Sequence, residues 1–254
     1  MTRNWIAVVV LSAAAGAAAQ ADSLLVAGAG SAGSWRTEFD VANPIGTGLL
    51  VQFNTVPVFQ TSSTCPEPCH ALGTIGLAGF GAESGIPLRS VIATTGGLFT
   101  VYIVVPEGSP LPVVRARVIN GDRPSQAIEL PVVRRSSVAG RAGASVLDFP
   151  AAERSDSAHS NLAVDCLDES YPEPCEVRVE AFSGEGDALG SGSFSILAGS
   201  GDLLVVDVVG ALGIPQLDGG HLRVSNLRGN GAIWGVMSEV RADGGVAVSE
   251  GWNP

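Results

Sequence analysis

Short runs that alternate apolar and polar residues follow one another along most of this chain. Clear examples are Leu50–Val56, Val113–Ile119 and Cys175–Phe182, whereas Leu98–Val105 is almost continuously apolar. Alternation with a period of two is typical of strands with one buried face, and a short apolar run between turns is typical of a fully buried strand. Asn120-Gly121 is a strong hairpin signal. The pattern predicts an all-β fold of antiparallel strands, arranged as a sandwich or a barrel.

The same succession of segments occurs twice in the sequence. In chain order, the matching segments are Ser23–Val26 with Ser145–Asp148, Glu38–Ala42 with Asn161–Asp165, Leu50–Val56 with Glu176–Phe182, Arg89–Ile92 with Val206–Val209, and Val113–Asn120 with Trp234–Arg241. Partners lie roughly 120 residues apart, which is the size of a small domain. A coincidental likeness of generic strand patterns stays open as the alternative.

The repeat divides the chain into a first domain at 22–135, a linker at 136–143 and a second domain at 144–254. The linker assignment depends on the polar and Gly-containing segment Arg134–Gly143. Helix signals are few, and only the segments around Leu88–Thr95 and Leu203–Leu212 are predicted to contain single helical turns.

Residues 1–21 have the three parts of a secretory signal peptide. Arg3 is the basic start, Trp5–Ala19 is the apolar segment, and Ala19-Gln20-Ala21 is a small-x-small cleavage site. The apolar segment is shorter than the ~20 residues that span a bilayer, with an uncleaved anchor as the alternative. We therefore predict a secreted, periplasmic or extracellular protein whose mature chain has no stable membrane insertion.

A motif near the predicted mature start resembles a known architecture. Trp35-Arg36-Thr37 is followed by an acid and, at Asn43-Pro44, by a turn, and a later Leu88–Ile92 segment precedes a strand. These features resemble the tandem immunoglobulin-like sandwich modules of uncharacterised secreted bacterial proteins. The resemblance is sharp only over Trp35–Pro44, and no Trp-Arg-Thr precedes Asn161 in the second half. It implies two tandem antiparallel β-sandwich domains, immunoglobulin-like, and export, without a particular activity.

Composition excludes several function classes. The formal net charge is −11, whereas a nucleic-acid binder needs a basic face. Every one of the 14 basic residues is arginine, so Schiff-base and P-loop lysines are absent from the sequence. With 46% hydrophobic and 15% charged residues, the chain is also too apolar to be disordered.

The four cysteines form two pairs that are close in sequence. Cys65 and Cys69, like Cys166 and Cys175, enclose a Pro-Glu-Pro turn, so each pair is predicted to form a local disulfide in an exported protein. His70 after Cys69 gives a string similar to a covalent haem site, but one extra residue separates the thiols. Haem or metal binding is the weaker alternative.

A Gly-x-Gly-x-x-Gly string lies at Gly28–Gly33. A dinucleotide site needs a helix after this string, whereas Ser34–Pro44 alternates like a strand. We interpret Gly28–Gly33 as a flexible lead-in, and no catalytic, cofactor-binding or metal-ligating residue is predicted. The three histidines are interpreted as surface or strand-edge residues: His70, His159 and His221.

Acidic and aromatic residues leave two further possibilities. The acids near the second cysteine pair and in the second half are interpreted as solvated turn residues, with a calcium site as the alternative: Asp165, Asp168, Glu169, Asp202, Asp207 and Asp218. Trp35 and Trp234 are predicted to fill the two cores and Trp252 to cover the C-terminal end, with sugar stacking as the alternative.

Together these features predict a non-catalytic secreted structural, adhesive or binding module of the bacterial cell envelope or exterior, with an unknown protein or glycan partner. One alternative is a secreted carbohydrate-active hydrolase that uses loop carboxylates. The other is a calcium-stabilised carbohydrate-binding module.

Overall fold

The computed structural model describes residues 22–32, 34–54, 73–91, 97–139, 146–167, 175–196, 203–227, 232–243 and 245–251. Antiparallel strands dominate these ranges. The first sheet contains β1 (Leu24–Ala32), β2 (Trp35–Ala42), β3 (Leu49–Asn54), β4 (Gly73–Leu77), β5 (Ala82–Pro87), β6 (Gly97–Val104), β7 (Val113–Asn120), β8 (Arg123–Leu130) and β9 (Val133–Arg134).

The second sheet follows it in the chain. It contains β10 (Val146–Arg154), β11 (Ala158–Cys166), β12 (Cys175–Phe182), β13 (Ala188–Ile196), β14 (Leu203–Val205), β15 (Leu217–Asn226), β16 (Ile233–Arg241) and β17 (Val246–Glu250). The short helices are α1 (Leu88–Val91), α2 (Arg135–Ala139) and α3 (Val208–Ala211). The two helical turns predicted near 88–95 and 203–212 are therefore confirmed at α1 and α3.

Both sheets have the same strand order. The first sheet runs β4-β3-β6-β1-β2-β7-β8 and the second runs β13-β12-β15-β10-β11-β16-β17. The additional strand β5 pairs with β2, and its counterpart β14 pairs with β11. Four of the five segment matches from the sequence join strands at equivalent places in these orders, and the fifth joins α1 with α3, so the repeat is a repeat of topology.

Each sheet encloses its own hydrophobic core. In the first sheet, β1 and β2 pair only at Ser31 with Arg36 and at Ala32 with Trp35. The strands on both sides of this narrow link contribute to one core, where the rings of Phe39 and Phe53 lie 5.1 Å apart. The second sheet is linked in the same narrow way and encloses an equivalent core.

An equivalent bulge interrupts the first strand of each sheet. In β1 the register shifts between Val26 and Ala29, where Gly28 has φ 69°. In β10 it shifts between Phe149 and Ala152, where Ala151 has φ 59°. The extra residue reverses the alternation, so Val26 and Ala29 both contribute to the first core. Segment Gly28–Ala32 is thus part of a strand, and its interpretation as a flexible lead-in is wrong.

A buried hydroxyl braces each bulge. Thr37 Oγ1 accepts a hydrogen bond from Gly30 N at 2.8 Å and donates to Gly30 O at 3.1 Å. At the equivalent place Ser160 Oγ accepts from Glu153 N at 2.9 Å. Both hydroxyl residues are fully buried. These bonds satisfy backbone groups next to the last β1–β2 and β10–β11 pairs, where the pairing of those strands ends.

The two sheets meet through a third hydrophobic cluster. Its buried members are Leu25 and Ala27 of β1, Tyr102 and Val104 of β6, Val138 of α2, Ala163 of β11, Leu167, and Trp234 and Val236 of β16. Trp234 therefore fills the contact between the sheets and not the second core, because alternation along β16 directs it away from that core. Trp35 is half-buried outside the three clusters, and Trp252 lies outside the described residues.

The start of the predicted linker is fixed on the first sheet. Residues 136–139 belong to α2, where Ser136 donates from its backbone N and its Oγ to the Asp22 carboxylate at 3.0 and 2.7 Å. Val138 of the same helix is buried in the third cluster. This part of the connection is consequently an ordered helix.

The bulges generate a stability prediction. Ala151→Gly should stabilise the protein by about 1 kcal/mol, because an alanine in the left-handed region is strained and a glycine is not. Gly28→Ala should destabilise it by more than about 1 kcal/mol, because the new Cβ is strained and would lie 3.2 Å from Val236 Cγ2. Urea unfolding of the purified variants measures both changes.

Gly108→Ala is the matched control for these variants. Gly108 has φ 78°, and a Cβ added there would meet nothing within 4 Å, so its substitution adds backbone strain without a clash. It should cost less than Gly28→Ala. An equal decrease in the free energy of unfolding for the two variants would mean that a Cβ at position 28 makes no destabilising contact with Val236.

Candidate functional site

A carboxyl group lies buried where the two sheets meet. Along β11, Leu162 and Val164 enter the second core, so Ala163 and Asp165 face the first sheet. Asp165 is only 9% exposed, and its Oδ2 accepts a hydrogen bond at 2.8 Å from the hydroxyl of Tyr102 on β6. The interpretation of Asp165 as a solvated turn acid is therefore wrong.

Burial dominates the electrostatics of this carboxyl group. Loss of solvation raises the pKa of Asp165 to about 6. Hydrogen bonds from the Tyr102 and Thr100 side chains and from the backbone of Cys166, together with the charge of Arg135, lower this pKa and offset part of the rise. The group thus changes its charge near pH 6.

The surroundings of Asp165 favour a structural role over a catalytic one. A carboxyl with a pKa near 6 beside a tyrosine hydroxyl is the kind of pair that enzymes use for proton transfer. Here, however, Asp165, Tyr102 and Thr100 all belong to the buried residues, between apolar side chains of the two sheets. A substrate would have to separate the sheets to reach them.

The remaining described acids of the sequence prediction lie elsewhere. Asp207 begins α3 and forms an ion pair with Arg154 at 2.9 Å, and Asp218 is exposed at the start of β15. Asp168, Glu169 and Asp202 lie outside the described residues. Within the described ranges, no three metal-binding side chains come together.

The histidines and cysteines are distributed over separate places. His159 lies on β11, and His221 on β15 stacks on Phe182 with 4.6 Å between ring centroids. Cys166 is half-buried against the second core, and the described residues include no free cysteine. His70, Cys65, Cys69 and the side chain of Cys175 lie outside the described residues, so both disulfide pairings stay predictions.

A second candidate is an exposed aromatic residue on a turn that is hydrogen-bonded to a neighbouring loop. Phe80, between β4 and β5, is 76% exposed and has φ 55°. Its backbone N donates to Ile45 O at 2.7 Å, and its ring lies against Gly46, where a Cβ would be 3.1 Å from Phe80 Cε2. The turn is thus joined to the loop after β2.

The buried side chain of Asn43 joins these two turns through hydrogen bonds. It is 3% exposed, and its Nδ2 donates to Thr47 O at 2.7 Å and to Ala78 O at 2.9 Å. Its Oδ1 accepts from Ile45 N at 3.1 Å. At the crossing point only glycine fits at position 79, because a Cβ would lie 2.0 Å from Gly46 O. Phe80 is therefore held in place by its backbone.

Burial of the ring does not compensate for the left-handed backbone conformation of Phe80. A left-handed conformation costs a non-glycine residue about 1–2 kcal/mol. An exposed ring recovers little of this cost through burial. Strained residues that persist in a structure are concentrated at sites of function.

The sequence prediction named Asp165 only as a solvated acid or a calcium ligand, and it missed Thr100, Tyr102 and Phe80, although these have sequence signals. Thr100 and Tyr102 are the polar positions of one face in the otherwise apolar run Leu98–Val105, which indicates that this face meets a polar partner. Phe80 stands between two glycines, which is unusual for a core aromatic and favours a tight turn.

Comparison of the chain with protein-family models, curated proteins and solved structures finds no match. The resemblance of Trp35–Pro44 to immunoglobulin-like modules therefore remains an expectation. Within the described ranges, no helix has the length and apolar character needed to cross a membrane.

The buried carboxyl predicts a pH-dependent stability. The folded pKa of Asp165 is about 6 and the ordinary value is 3.8, so the folded state holds this proton more tightly than the unfolded state. The contribution is fully present below pH 4 and is lost as the pH rises through 6. Relative to Asp165→Asn, the wild type should lose up to about 3 kcal/mol over this range, measured by urea unfolding at each pH.

Asp218→Asn is the control for the carboxyl prediction, because Asp218 is exposed. The stability difference between this variant and the wild type should stay constant over the same pH range. A constant difference for Asp165→Asn as well would contradict a desolvated carboxyl between the sheets.

The cysteine pairing gives a separate prediction. Proteolysis of the exported protein without reductant should release peptides in which Cys65 is linked to Cys69 and Cys166 to Cys175, identified by mass spectrometry. Peptides that link the first pair to the second would refute local pairing.

Proposed function

We propose that this chain is a non-catalytic secreted structural, adhesive or binding module, exported to the bacterial cell envelope or exterior. Its two repeats are proposed to be tandem immunoglobulin-like β-sandwich domains, since in each repeat two groups of strands share one core across a narrow link. The proposed partner is a protein or a glycan.

This proposal rests on one observation: the carboxyl group with the shifted pKa is buried where a substrate does not reach it. The carboxyl with a pKa of about 6 is buried between the sheets, whereas several half-buried acids form ion pairs with arginine. Asp148 accepts two hydrogen bonds from Arg223 at 2.8 and 3.0 Å. Both oxygens of this carboxylate are therefore already bound by the guanidinium.

We assign the contact with the partner to the turn that carries Phe80. Binding residues are often found on loops that a rigid scaffold positions. An exposed ring on a braced turn offers a flat apolar surface, which suits stacking against a sugar ring or insertion into a protein pocket. Because the backbone already holds the ring, binding would need little ordering of the turn.

Phe80→Gly tests this assignment by separating stability from binding. The variant should be more stable than the wild type by about 1 kcal/mol, because glycine accepts the left-handed conformation. The same variant should lose at least tenfold in binding. Suitable probes are insoluble cellulose, chitin and peptidoglycan in co-sedimentation assays, and intact cells of the source for a protein receptor.

Leu189→Ser is the matched control, because Leu189 is a 43% exposed apolar residue on β13 of the second sheet. It should leave binding to the same probes unchanged. Equal binding by wild type and Phe80→Gly would overturn the role of the turn.

The same incubations distinguish the alternatives. Release of reducing sugars from a polysaccharide would favour a carbohydrate-active hydrolase and contradict the non-catalytic proposal. A melting temperature that falls on addition of EDTA would favour a calcium-stabilised carbohydrate-binding module.

A further inference from the structure

The contact between the sheets uses a different face of each repeat. The first sheet contributes the outward face of β1 and β6, and the second contributes the outward face of β11 and β16. We call these face A and face B. Since β10 and β15 are the counterparts of β1 and β6, the second sheet has its own face A, and the first has its own face B on β2 and β7. Neither of these outer faces contributes to the third cluster.

An ion pair occupies the outer face A. The register of the strands makes Leu24 equivalent to Leu147, and therefore makes the neighbours Leu25 and Tyr102 equivalent to Asp148 and Arg223. In the contact, Leu25 and Tyr102 are buried. On the outer face, Arg223 Nε lies 2.8 Å from Asp148 Oδ1.

On the outer face B, charged residues likewise stand where the contact has buried apolar residues. Phe39 and Leu162 are core equivalents, so the buried pair Ala163 and Val236 corresponds to Asp40 and Arg115. Arg117 beside them lies 3.5 Å from Asp40 and 3.7 Å from Glu38. Trp234 of the contact corresponds to Val113, which is 63% exposed.

The replacement of apolar residues by charged ones on the outer faces matters because an A-against-B contact does not produce a closed dimer. A unit that binds the next one through A against B leaves another A and another B free, so identical units would continue into a filament. Repeat proteins end such a series with polar outer surfaces. Covering an ion pair removes its charges from water without a new partner, which opposes association.

We propose that the ion pairs on the outer faces A and B prevent a further sheet from packing against either face. They thereby keep separate copies of the chain from associating end to end. This inference does not depend on the proposed function. It depends on the equivalence of strand positions in the two repeats, and on the presence of apolar residues at the contact and charged residues on the outer faces.

Transplanting the buried residues onto the outer faces tests the proposal. Variant A carries Asp148→Leu, Arg223→Tyr and Ser225→Val, which reproduce Leu25, Tyr102 and Val104. Variant B carries Asp40→Ala, Val113→Trp and Arg115→Val, which reproduce Ala163, Trp234 and Val236. Sedimentation velocity over a hundredfold range of concentration measures the association.

The expected pattern is specific to an A-against-B contact. The wild type, variant A alone and variant B alone should each sediment as a monomer. A mixture of A and B should form 1:1 dimers and stop there, because each variant carries one converted face. A chain with all six substitutions should form an open series of oligomers that grows with concentration.

A variant with Arg178→Tyr and Glu180→Leu is the matched control. These two residues form an ion pair at 3.1 Å on β12, directly beside Ser225 and Arg223, so the control removes a neighbouring ion pair without reproducing a residue of the third cluster. It should remain monomeric, and circular dichroism should show all variants folded. Self-association of A or B alone, of this control or of the wild type, or a mixture that stays monomeric, would overturn the proposal.

Discussion

Strand β1 lies between two hydrophobic clusters, and its burial on both faces is the constraint on which the arrangement of both sheets depends. Leu24 and Val26 contribute to the first core, while Leu25 and Ala27 contribute to the contact with the second sheet. A strand in this position accepts no charged residue on either face without a buried partner. The bulge at Gly28 keeps Ala29 in the first core and, because Gly28 has no Cβ, lets Val236 approach.

The sequence was sufficient for features that depend on neighbouring residues. Alternation predicts β7 and β12, and Asn120-Gly121 predicts the turn after β7, because these patterns are local. The environment of Asp165 depends on Tyr102, which lies 63 residues away, and the position of Trp234 depends on which face of β16 meets the other sheet. Such long-range pairings leave only weak signals in a single sequence.

The residues that carry the family resemblance have structural roles in this chain. Thr37 braces the bulge of β1, Phe39 and Val41 enter the core, and Asn43 holds the turns around Phe80. The second repeat retains the first of these roles with Ser160. A motif explained by hydrogen bonds and packing supports an inference about architecture and carries none about activity.

Burial of the Asp165 carboxyl costs free energy, and its position between the sheets offers a compensating gain in the specificity of their alignment. Apolar faces such as those of Leu25 and Val236 attract each other without fixing their alignment. The hydrogen bond from Tyr102 to Asp165 forms in one alignment of the two sheets, so the polar pair selects that register. On the outer faces the equivalent positions hold Ala42 and Arg223, which cannot form this bond. Among the described residues, this pair therefore selects the register at the third cluster and not on the outer faces.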